Sequence, residues 1–75
     1  MADLRRLTAI IEREESGYTA LCPQCDIASQ GATIEAARDK LVEALGLFFE
    51  CADPADLERR FHPEVLITQV EVRVA

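Results

Sequence analysis

The chain has 75 residues, a formal net charge of -6 and 49% apolar content, with charged residues at 29%. That is room for one small domain spanning residues 1–75, a mixture unlike disorder. The acidic balance opposes direct nucleic-acid binding, whose phosphate contacts come mainly from Lys and Arg, and favours a basic partner.

No apolar run approaches the roughly 18–20 residues of a membrane span. The opening MADLRRLTAIIERE places charges inside any apolar stretch, unlike a secretory signal. Three cysteines do not make a disulfide framework. The expected setting is cytoplasmic.

Leu4 to Arg13 reads as a strand, with Leu7, Ala9 and Ile11 on one face and Thr8, Ile10 and Glu12 on the other. Ile10 hints that the second face is not wholly wet. Glu14-Glu15-Ser16-Gly17 reads as a polar turn of about four residues, returning into a strand at Tyr18 to Cys22. Pro23 ends that strand, and Asp26 to Gln30 follows as a third, short one.

Gly31-Ala32 breaks the extension and Thr33 is the expected N-cap of a long helix, with Glu35 in its positively polarised first turn. Ile34, Ala37, Leu41, Ala44, Leu45 and Phe48 form one apolar stripe about 100° wide, the width of a core-facing helix. Gly46 weakens the helix interior, and Leu47 points out among polar residues, as an isolated exposed side chain or as a contact in an oligomer.

Asp53-Pro54 has the form of an N-cap followed by proline in the first helical position, starting a short helix through about Arg60 that His62-Pro63 ends. Glu64 to Val74 has the clearest strand alternation in the chain. Leu66, Thr68, Val70, Val72 and Val74 share one face; Val65, Ile67, Gln69, Glu71 and Arg73 share the other. The expected class is α+β, in the order β-β-β-α-(short α)-β, an antiparallel-rich sheet with one long helix packed on one face.

Several residues could carry chemistry. Cys22-Pro23-Gln24-Cys25 has CxxC spacing, but it lies between strands rather than at the helix start that would activate a thiol. Cys22, Cys25, Cys51 and His62 together would suit structural zinc, against the plainer alternative of buried thiols and a surface histidine. Asp26 at a strand start is expected to hold the turn by accepting bonds from nearby backbone N–H groups, or else to touch a partner. Tyr18, the only tyrosine, is either strand packing or an interface residue. With one histidine and no second carboxylate beside Asp26, no catalytic, cofactor or metal residues are assigned and no enzyme activity is expected.

From Cys22 onward the run CPxxDIASQGxTIEAAxxKLVEALxLFFE, with Pro23, Asp26, Ser29-Gln30-Gly31, Thr33 and Glu43-Ala44 at fixed spacing, resembles the HicB-like antitoxin family. IEREESGYTA and TQVEVRVA extend the resemblance over nearly the whole chain. It implies a degenerate RNase H-like fold and a HicA-type partner, a small basic mRNA-cleaving toxin that such proteins neutralise by covering it. Longer members add a DNA-binding domain, which this chain, stopping at Ala75, is expected to lack. Gln24-Cys25 stands where Glu-Leu is usual, and Ala32 and Ala36 replace acidic residues near the helix start. The expected role is thus an antitoxin-type interaction protein, self-associating as a dimer or higher, with Tyr18, Asp26, Leu47, Val65 and Ile67 as partner-binding candidates. The alternatives are an orphan oligomeric scaffold without a toxin and, lesser, the zinc protein.

Overall fold

A computed structural model describes residues 5–75; Leu4, expected at the start of the first strand, lies outside them. The elements are β1 (Ile10–Glu14), β2 (Gly17–Cys22), β3 (Ile27–Gly31), α1 (Ile34–Cys51) and α2 (Pro54–Arg60). The three strands form one antiparallel sheet in the order β1-β2-β3, with α1 packed on one face. The fold is therefore α+β.

Each boundary has a local cause. Glu14 pairs with Gly17, so the first hairpin turns on Glu15 and Ser16 alone, tighter than the four-residue turn expected. The second hairpin needs four residues, Pro23 to Asp26. Its backbone closes through Cys25 N–H and Asp26 N–H, both donating to Cys22 O at 3.3 and 2.8 Å. Asp26 ends this turn with φ at 56°, a left-handed conformation that Asp tolerates better than most residues.

Thr33 caps α1 as expected, its hydroxyl accepting from Ala36 N–H at 3.0 Å. Asp53 caps α2 in the same way, accepting from Asp56 N–H at 2.9 Å, with Pro54 in the first helical position.

Register places Ile11, Ala20 and Ser29 in one row across the sheet, and Cys22 beside Ile27, all on the face that α1 covers. Ala37 and Leu41 press onto that face, and the buried core is Ala20, Cys22, Cys25, Ala37 and Leu41. Ser29 Oγ donates to Ala37 O at 2.8 Å, tying strand to helix. Gly31 is where they come closest: a Cβ there would meet Ala36 C at 2.7 Å and crowd Ala37 N. Gly31 is thus a close-approach residue at the end of β3, more than the simple break that the sequence suggests. Ile34, assigned to the core stripe, is 44% exposed.

The last expected strand does not form in the chain by itself. Residues 64–75 pair with nothing in the sheet, and the described structure ends in an arm whose residues are exposed apart from half-buried Val65. Leu66 is 95% and Val74 88% exposed. The alternation is present, but strand structure needs a neighbour's N–H and C=O groups, and no segment supplies them here. The arm also sets the shape. The radius of gyration is 14.5 Å, against about 11 Å for a compact chain of this length. The long axis of 51 Å exceeds the roughly 27 Å of α1.

Candidate interaction surface

The helix is not centred on the sheet. It lies over β3 and β2 and barely reaches β1. The strand order leaves the outer edge of β1 unpaired among the described residues, and beside it runs a groove of about 320 Å³. Leu7 and Ala9 of the chain entering β1 form one wall and Leu41, Val42 and Leu45 of α1 the other, with Arg5 and Arg38 also lining it. Val42, on the rim of this groove, is 62% exposed among the described residues. The edge of β3 is likewise unpaired.

The face of the sheet away from α1 carries a second feature. Ile10 pairs with Leu21 and Leu21 with Ala28, so three apolar residues line up across all three strands. Glu12, Thr19 and Gln30 form the polar row beside them. Ile10 in the sequence is the one signal for this row; the register that completes it is not visible there.

Gln24 joins the two ends of the chain. It is buried, 8% exposed. Its Oε1 accepts from Thr8 N–H at 3.1 Å and from Cys22 Sγ at 3.3 Å, while Nε2 donates to Thr8 Oγ1 at 2.8 Å. Its backbone oxygen accepts from His62 N–H at 2.6 Å, which fixes the point where the arm leaves the body. Nearby, Phe48, Phe49 and Phe61 meet edge to face, with ring centroids 5.3 and 5.8 Å apart. The Arg5 guanidinium lies over Phe49 and Phe61 and that of Arg60 over Phe48. Sequence reasoning passed over Gln24 and Phe61 because both act through partners distant in the chain.

The CxxC thiols sit in the core. Cys22 and Cys25 are free and buried, Cys51 free and exposed. Burial, followed by the neighbouring Cys22 thiol, pushes Cys25 up to about 11. That is the reverse of an activated thiolate. Among the described residues no three His, Cys, Asp or Glu side chains gather as a cation site, so Cys22, Cys25, Cys51 and His62 do not form a ligand set in this structure.

The five partner-binding candidates are dispersed. Tyr18 is half-buried and packs against the core at the first hairpin, while Asp26 is exposed at the opposite end of β2. Asp26 holds its turn through backbone conformation, with its carbonyl accepting from Arg60 Nη2 at 3.2 Å; the expected carboxylate-to-N–H bond is absent among the described residues. Leu47 is 56% exposed on α1. Val65 and Ile67 lie at the root of the arm, half-buried and 58% exposed respectively, and not on a strand face as expected, since residues 64–75 form no strand. Among the described residues no helix is long and apolar enough to cross a membrane. Compared with known proteins, the chain matches no family model, no curated protein and no solved structure.

Proposed function

We propose that the protein is a HicB-like antitoxin-type interaction protein that binds and neutralises a small basic HicA-type mRNA-cleaving toxin. The observation that carries this reading is the unfinished sheet. An acidic chain leaves an edge strand, an apolar groove and an alternating apolar arm uncovered, which is what strand-addition recognition uses. The row Ile10-Leu21-Ala28 offers an apolar platform to a protein surface, and Glu12 and Glu14 beside it suit a basic one. The role is non-catalytic: the chain would act by covering the toxin's RNA-cleaving surface.

The test is coexpression with a small basic open reading frame found beside the gene. Copurification, together with suppression of that product's RNA cleavage at equimolar chain and weaker binding in higher salt, is expected. Replacing Leu21 by Asp should abolish suppression. Failure to copurify, with RNA cleavage unchanged, overturns the reading and favours the alternative, an orphan oligomeric scaffold. The exposed arm fits that alternative too, since self-association would also cover it.

A further inference from the structure

We infer that the arm, residues 64–74, crosses to a second copy of the chain and completes that copy's sheet at the free edge of β1, with the second copy returning its own arm. Leu66, Val70, Val72 and Val74 would enter the groove beneath Val42, and the odd-numbered side chains would continue the opposite face. This inference does not rest on the toxin reading and concerns the chain alone.

Four observations converge on that occupant. The arm alternates polar and apolar residues from Gln69 to Val74 after the apolar run Val65-Leu66-Ile67, and its 11 residues span about 36 Å if extended, ample for the roughly 26 Å from Leu7 to Glu14. The groove has Leu7, Ala9, Leu41, Val42 and Leu45 in its lining, and the β1 edge beside it has no ladder partner among the described residues. Charge agrees at the start of the arm: Arg5 and Arg38 line the groove, and Glu64 shares the face of Leu66 and Val70, while Glu71 and Arg73 offset each other on the opposite face.

The fourth observation is the hinge. The His62 N–H bond to Gln24 O and the packed Phe61 ring fix where the arm starts. Pro63 then follows and restricts its own φ and the conformation of His62. Beyond it the arm is exposed apart from half-buried Val65, and none of its residues lines its own groove. Each copy therefore carries one free arm and one empty groove, a self-complementary pair that closes with two-fold symmetry.

The chain is first weighed by light scattering at several salt concentrations. Twice the 8.3 kDa chain mass is expected, held more firmly in high salt because like-charged bodies are screened. Val70→Glu with Val72→Glu lies wholly in the arm, outside both helices, so the helical far-UV circular dichroism signal should be unchanged while the dimer dissociation constant rises roughly 100-fold or more. Cross-linking then locates the arm. In chains with Cys51→Ser, Ala9→Cys and Thr68→Cys are placed in separate molecules and mixed. Exchange yields a disulfide joining the two different chains; in the double variant it yields a dimer held by two such bonds. A monomer under all conditions, a dimer untouched by the arm substitutions, or a double variant cross-linked within one chain would each overturn the inference. The last would mean that the arm folds back onto its own β1.

Discussion

The same chemical change at two glycines should move stability in opposite directions. At Gly31 an added Cβ would lie 2.7 Å from Ala36 C and 2.9 Å from Ala36 Cβ, with Ala37 N also in the way. Most of these are backbone atoms of the first turn of α1, which cannot swing aside as a side chain could. Restoring ordinary contact means lifting the helix start by close to ~1 Å, loosening fully buried Ala37 and the Ser29 Oγ bond to Ala37 O. Overpacking of this kind costs about 1–3 kcal/mol, and a weakened hydrogen bond adds about 1 kcal/mol. The stiffer unfolded chain of an alanine variant returns about 0.4–1 kcal/mol. Gly31→Ala should therefore destabilise by about 2 kcal/mol, a large share of the roughly 4–11 kcal/mol expected of 75 residues. Gly46 sits in the interior of α1 with nothing within 4 Å of its added Cβ. Gly46→Ala gains helix propensity with no clash and should stabilise by about 1 kcal/mol. Urea unfolding followed by circular dichroism reads both, with an unchanged m-value confirming that the native state is being compared. Shifts of the same sign, or Gly31→Ala within about 0.5 kcal/mol of the parent, would refute the close-approach account.

Gln24→Leu is expected to cost about 1–3 kcal/mol, because Thr8 N–H and Oγ1 lose their partners at a part-buried position. Hydrogen exchange checks it: Thr8 amide protection should fall, and an unchanged amide would count against the network. The Cys25 thiol predicts a pH dependence. The unfolded chain loses that proton near pH 9 while the folded chain keeps it to about 11, so stability is whole below pH 9 and declines from there toward 11. The decline is at most about 1.4 kcal/mol per pH unit, and the difference between the parent and a Cys25→Ala curve isolates it from other alkaline titrations. Parallel curves above pH 9 would remove the buried-thiol account.

What could be read from the sequence was whatever local chemistry decides. Thr33 and Asp53-Pro54 start their helices where capping physics puts them, and β2 and β3 fall within one residue of the expected runs, while β1 begins at Ile10, six residues after its expected start. The rest depends on neighbours distant in the chain. Gln24 looks like a loop substituent until Thr8, sixteen residues earlier, is brought against it. Asp26 was expected to act through its carboxylate, the commonest device at a turn, yet its backbone conformation does the work. Residues 64–74 carry the plainest strand alternation of all and form no strand, because alternation specifies two faces but not the chain that pairs with them.

That last case connects the two proposals. A strand added beside β1 has two faces, and the chain's own pattern divides them: Leu66, Val70, Val72 and Val74 toward the groove, Val65 and Ile67 toward the side carrying Ile10, Leu21 and Ala28. Filling the groove would therefore widen the opposite platform by one strand, so that a partner surface meets residues of two chains at once. Linkage follows. A protein that binds the widened platform and not the separated chain stabilises the exchanged arm by mass action, by about 2.7 kcal/mol when present at one hundred times its dissociation constant. The Val70→Glu, Val72→Glu chain, which leaves the platform residues of its own body untouched, should then bind a toxin partner more weakly than the parent although neither substituted side chain faces that partner. Equal binding by parent and variant would separate the two surfaces and show that the platform of a single chain suffices.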